Sequence, residues 1–295
     1  MIPFYTFYSM FGFQRIGDQL WAAGDSRAKG FVMGATAGRT TLNGEGLQHQ
    51  DGQALLFASV FPSCLAYDPT FSYEVAVLIQ KGIERMFERG EEVFYYITLL
   101  NENYPHPEMP EGVEDGINKG MYLLQKGTGQ EPRVQLMGSG SILREVIAAA
   151  DLLNKDFGVQ ADVWSILGVN QLHREGVLTE DWNRSHPDQP GKRSYVEEQL
   201  EKHEGPVVIS TDYVQAYGEQ LRRFIHRPLT ILGTDGYGRS DSREVLRRFF
   251  KVDRYHVVVA ALKSLADEGK LPLTTVSDAL KKYKINPEEP HALTR

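Results

Sequence analysis

Apolar residues recur at helical spacing through Phe13, Ile16, Leu20 and Ala23, which predicts a helix over residues 11–23 with a turn starting at Asp25. A short apolar run at Phe31 to Met33 predicts a strand. From Gly34 to Gly52 the pattern then has no regular period, and a loop this long inside a compact domain is uncommon unless it binds something. "ALLFASV" and "SCLAYDP" follow as buried segments. "SYEVAVLIQKGIERMFERG" predicts a helix whose inner face carries Val77, Ile83 and Phe87, and "EVFYYITLLNENY" a β-prone strand ending in polar residues. Between Asn101 and Lys119 three prolines stand among several acids, which marks a linker or domain edge.

The second half repeats strand and helix. "RVQLMGSGSILREVIAAADLLNKDFGVQADVWSIL" reads strand, small-residue turn, helix, strand, with Ile142, Val146, Ala150 and Leu153 spaced to pack on a sheet, the pattern of a βαβ unit. "GPVVISTDY" adds a strand, "VQAYGEQLRRFI" a helix, and "HVVVAALKSLADEGK" and "LTTVSDALKKYKI" two closing helices. The fold class is therefore α/β, with a second domain from about Gly120 built on a parallel or mostly parallel sheet.

Composition adjusts this picture in three respects. A chain of 295 residues with 41% hydrophobic and 24% charged residues is that of a globular protein of about two domains. A formal net charge of -7 gives no uniform electrostatic reason to bind a polyphosphate backbone, so nucleic acid is not an expected partner. The single cysteine, Cys64, cannot form an internal disulfide, and no apolar run is long enough to span a bilayer, so no membrane partner is expected and a cytoplasmic setting is the default. The opening stretch, with Phe4, Tyr5, Phe7, Tyr8, Phe11 and Phe13, has the density of a packed element, which leads us to expect further sequence upstream.

Several segments carry candidate chemistry. "GSGSIL" has neither G-x-G-x-x-G spacing nor a Walker lysine, and reads as strand-to-helix geometry with Ser139 or Ser141 as the cap. "GTDGYGRSDSRE" supplies Asp241 or Ser242 as an N-cap and leaves Arg239 and Arg243 as ligands for a carboxylate or an acidic neighbour. There is no H-E-x-x-H, cysteine pair or EF-hand spacing, hence no expected metal site, and no G-x-S-x-G. His106 lies among prolines and reads as an exposed linker histidine. In "GRTTLNGEGLQHQDG", Glu45 precedes His49 by four residues and shares the loop with Arg39, Asn43, Gln48 and Asp51, a set able to bind an anion or shuttle a proton. An ordinary i, i+4 pair at a helix start has the same spacing.

The strings "FYTFYSMFGFQRIGDQLWAAGD", "TTLNGEGLQHQDG", "YYITLLNENYPHPEMPEG" and "LGTDGYGRSDSRE" together resemble the homodimeric, bacterial-type pyruvate dehydrogenase E1 component, over essentially the whole chain and matching the last third of that family's length. The resemblance implies a thiamine diphosphate enzyme that decarboxylates pyruvate and passes the acetyl group to the lipoyl arm of the dihydrolipoyl acetyltransferase, E2. It implies a homodimer, with residues 1–118 as the latter part of a pyrimidine-binding domain and 119–295 as a transketolase-like C-terminal domain. Carried over by position, Tyr8 matches the family's active-site tyrosine and Phe11 the aromatic that stacks on the aminopyrimidine. Glu45 and His49 match the acid and histidine on the substrate side of the pocket. The family's G-D-G motif with its downstream asparagine, which holds Mg2+ and diphosphate, is not in this sequence, and the glutamate that contacts the aminopyrimidine falls upstream in the family. Those ligands are expected in preceding sequence, and this chain by itself is expected to be inactive. The alternatives are a non-catalytic dimerisation or assembly module, and a transketolase-like enzyme for another 2-keto substrate.

Overall fold

A computed structural model of the chain describes residues 1–129 and 132–294. The first unit holds β1 (Phe4–Tyr8), α1 (Phe13–Asp25), β2 (Phe31–Ala35), α2 (Ala54–Ala58), β3 (Cys64–Tyr67), α3 (Ser72–Ile83), β4 (Phe94–Leu99) and α4 (Glu114–Lys119). Its four strands pair in parallel in the order β1-β2-β4-β3. β3 and most of β4 are buried on both faces, which is why they read as continuous apolar runs rather than as alternation. β1 is the exposed one of the two edge strands: Phe4 stacks on Phe31 at 4.7 Å, yet Phe4 and Tyr5 remain 51% and 61% exposed.

The inner face of α3 differs from the expected one. Glu74, Leu78, Gly82 and Met86 point inward, Val77 and Ile83 are half-buried, and Phe87 is exposed. Gly82 is the reason on one side, because the rings of Phe31 and Tyr95 pack directly against its backbone. On the other, the helix runs on into a π-helical turn over Glu84–Glu88, and the wider turn rotates Phe87 outward. The expected linker also contains structure, since α4 buries Gly116 and Ile117.

The second unit holds β5 (Tyr122–Gln125), β6 (Arg133–Gly138), α5 (Leu143–Phe157), β7 (Gln160–Ser165), α6 (Val169–Ser185), α7 (Tyr195–Leu200), β8 (Val207–Ser210), α8 (Gln215–Glu219), β9 (Leu229–Leu232), α9 (Arg243–Phe249), α10 (Arg254–Asp267) and α11 (Leu273–Lys282). The sheet order is β5-β7-β6-β8-β9, with β5 antiparallel to β7 and every other pairing parallel. One face, carrying Val134, Leu136, Val163 and Val208, packs on α5 and α10 through Val146, Val258 and Leu262. The other joins Trp164, Ile209 and Tyr217 to Phe13, Leu55 and Phe61 of the first unit in one core.

Ala149 is the fully buried alanine on the inner face of α5, and the expected Ala150 packs half-buried against the same core. The stretch expected as one helix at 214–225 breaks into α8 and a 3-10 turn over Arg222–Phe224. Neither Ser139 nor Ser141 caps α5. The Ser139 hydroxyl donates to Asp68 Oδ2 at 2.6 Å and that of Ser141 lies 3.5 Å from Asp212 Oδ2. A carboxylate reaching in from another element outcompetes the local cap. Glu74 forms a second such tie: it accepts from the Thr70 and Phe71 amides at 2.6 and 2.9 Å, and from the Tyr122 and Ser165 hydroxyls at 2.8 and 2.7 Å. A buried acid with four donors is fully satisfied and binds α3 to the second sheet.

Candidate active site

The segment after β2 is a compact loop held by buried polar groups. Gly38 and Asp51 form an isolated antiparallel bridge that closes it. Asp51 is fully buried: Oδ1 accepts from the Gln53 and Ala54 amides at 3.1 and 2.8 Å, so it satisfies the start of α2, and Oδ2 accepts from the Ser9 hydroxyl. Ser9 Oγ in turn lies 3.1 Å from the Tyr96 hydroxyl. Arg39 spans to the second unit, donating to Thr234 O at 2.6 Å and to Gly236 O, while Thr40 donates to Asp212 Oδ2 through its amide and hydroxyl, both at 3.1 Å.

Glu45 and His49 bracket a 3-10 turn over Leu47–His49, not the first turn of an α-helix, so the spacing of an ordinary i, i+4 pair is not what joins them. The turn brings His49 to two aromatics from β1 and the turn that follows it. Its ring centroid is 5.8 Å from that of Tyr8 and 5.1 Å from that of Phe11, edge-on to both, and Tyr8 and Phe11 stack at 5.4 Å. The guanidinium of Arg15 sits 3.7 Å from the Phe11 ring centre. Tyr8, Phe11 and His49 are thus one cluster.

Within this region Arg39 Nε, Glu45 Oε1 and His49 Nδ1 are buried atoms without a hydrogen-bond partner among the described residues. Each such orphan costs about 1–3 kcal/mol, so a loop that keeps several together is built to meet something else. Burial pushes the Glu45 carboxyl up to about 8, with the negative charges of Asp51 and Asp212 adding to the rise. It therefore holds its proton at neutral pH and is a donor. Asp212 rises to about 7 and Asp68 to about 6, in both cases chiefly through burial and against the hydrogen bonds they accept.

Other expected candidates do not join the cluster. Arg243 donates to Thr41 O at 2.5 Å and Asn101 O at 3.0 Å and stands 3.8 Å from Glu102, so its acidic neighbour is internal. Arg239 lies over Phe249 at 5.3 Å. Ser242 does cap α9, accepting from the Val245 amide at 3.4 Å. Exposed His106 accepts from the Ser72 amide at 3.0 Å and stacks on Tyr104. No group of three metal-ligating side chains occurs among the described residues, and no helix there is long and apolar enough to cross a membrane. Ser9, Gln50, Asp68 and Asp212 escaped sequence reasoning. No period or motif marks them, because their partners lie on other elements.

A parallel four-stranded sheet and a mostly parallel five-stranded one in these orders, with a polar loop seated between them, define a transketolase-type α/β protein. The transketolase of Campylobacter jejuni superposes with a TM-score of 0.68 at 17% identity, over 89% of this chain and 36% of that one. That of Leishmania mexicana gives 0.67 at 17%, over 92% and 36%. Residues 1–107 match the pyruvate dehydrogenase E1 component middle domain, and residues 120–253 the transketolase-like C-terminal domain. Pyruvate dehydrogenase E1 components of Cupriavidus necator, Pseudomonas aeruginosa and Escherichia coli K12 are 56%, 57% and 51% identical, over 100%, 99% and 98% of this chain. The chain belongs to the pyruvate dehydrogenase E1 family, and it spans about a third of the length of the curated relatives it matches.

Proposed function

We propose that this chain supplies Tyr8, Phe11, Glu45 and His49 to a thiamine diphosphate site in a pyruvate dehydrogenase E1 component. The whole enzyme then decarboxylates pyruvate oxidatively and transfers the acetyl group to the lipoyl arm of its E2 acyltransferase. In this reading residues 1–118 and 119–295 are the two units, the working form is a homodimer, and the setting is the cytoplasm. The observation that carries it is the pair of buried orphan atoms, Glu45 Oε1 and His49 Nδ1, with the His49 ring set against an aromatic pair.

The residues present fit the ring end of the cofactor. Tyr8 and Phe11 offer flat apolar faces to an aminopyrimidine. A ring stacking on Phe11 would displace the exposed Arg15 guanidinium, whose cation-π contact is worth only about 0.5–1 kcal/mol at such a site. The described residues provide no comparable set for Mg2+ and diphosphate. When bound, the cofactor supplies the electron sink for losing carbon dioxide from a 2-keto acid. The chain's own residues do the rest: Glu45 holds a proton at its carboxyl near neutral pH, and His49 Nδ1 is free to bond or carry one at the substrate oxygen.

The test uses the complete E1 polypeptide with thiamine diphosphate and Mg2+. Carbon dioxide release from pyruvate, with no turnover of ketose phosphates, is the expected result. Turnover of ketose phosphates instead would favour a transketolase-like substrate range, and no turnover of either with no cofactor bound would favour an assembly module.

A further inference from the structure

The turn that carries His49 is pinned at both ends by the second unit. At one end the Gly44 amide donates to Asp241 O at 3.0 Å. At the other, buried Gln50 clasps the backbone of Arg239 from both sides, its Nε2 donating to Arg239 O at 2.5 Å and its Oε1 accepting from the Arg239 amide at 2.7 Å. Between these points the chain rests directly on Gly238. A Cβ there would lie 2.3 Å from Leu47 O and 2.8 Å from Gln50 Oε1, so only glycine lets the two backbones approach this closely. Arg39 fixes the opposite end of the same segment through Thr234 O and Gly236 O.

We propose, resting on the reading of His49 given above, that Gln50 is a positioning residue through which the second unit sets the placement of His49. The clasp involves only the backbone of Arg239, so the information it transmits is the position of the 234–239 segment, not its charge. His49 is the next residue in the chain, and its ring is otherwise located by edge contacts with Tyr8 and Phe11. Edge contacts between rings tolerate sliding. Two opposed hydrogen bonds to one peptide backbone do not. A second unit that carries no candidate reacting group of its own thereby acts on the chemistry, because a shift of about 1 Å in a reacting group is enough to cost roughly a hundredfold in rate.

The experiment uses the complete enzyme. Gln50→Ala removes both bonds from one side, and Gly238→Ala pushes the turn from the other. Each should lower kcat for pyruvate by roughly 10- to 100-fold with KM moved far less, and the double variant should be no worse than the weaker single. Gln50→Met keeps the size, removes both bonds and buries no charge, so it should show a comparable loss; it serves if Gln50→Ala fails to fold. The deciding readout is the His49→Ala background, in which a residue acting through His49 has nothing left to position. There the Gln50 variants should cost no further kcat. Equal losses with and without His49 would overturn the proposal, as would folded Gln50 variants with unchanged kcat while His49→Ala is impaired. Wild-type turnover in His49→Ala itself would remove the underlying reading, and this proposal with it.

Discussion

Glu45 shows how one residue acquires a role from its surroundings. Its carboxyl is buried, one oxygen is orphaned, and burial with two nearby acids lifts it from 4.5 to about 8. The folded state therefore binds this proton more tightly than the unfolded chain does. The stabilising contribution is fully present below the unfolded value and is lost as pH rises through the folded one. Glu45→Gln has no such proton to lose, so its melting temperature should gain on that of the wild type as pH is raised from about 5 to about 9. A difference that stays constant over that range would mean Glu45 is ionised throughout. Glu45, His49, Tyr8 and Phe11 were legible because they sit in distinctive strings. Gln50 and Asp212 were not, although both shape the same loop, because what they do depends on a backbone and a charge that lie far away in sequence.

Elements were readable where one period governed them. The β6, α5, β7 unit follows from its apolar spacing, with Ala149 buried more deeply than its neighbour Ala150. α3 misled because its packing depends on a glycine and on a π turn, neither of which an apolar period reveals. α6 went unread because "VNQLHREGVLTEDWNRS" buries only a narrow stripe, including Val169, Leu172 and Gly176. The turn between β6 and α5 looked generic, yet Gly140 adopts φ +51 and a Cβ there would lie 2.6 Å from Asp68 Oδ2. Gly158, at the end of α5, has φ +66 with open space around it. Gly158→Ala should therefore cost about 1 kcal/mol of backbone strain, and Gly140→Ala at least about 2 kcal/mol, because the clash adds to it. Urea midpoints read both; equal losses would show that Asp68 yields freely.

At the scale of the whole molecule, sequence spacing gave two α/β halves and missed how thoroughly they are joined. Asp68 to Ser139, Glu74 to Tyr122 and Ser165, Arg39 to Thr234, and a core that mixes Phe13 and Phe61 with Trp164 and Tyr217 all cross between the sheets. A protease cut within the mostly exposed 105–112 segment should thus leave two fragments that travel together in gel filtration and part only in denaturant. Separation under native conditions would contradict this joined architecture. The same junction seats the loop of Glu45 and His49, on which the functional account depends. Its most direct test is carbon dioxide release from pyruvate by the complete enzyme carrying His49→Ala. The account predicts turnover lower by about 10²–10⁴-fold, with a melting temperature near that of the wild type. Turnover equal to that of the wild type would place the chemistry elsewhere.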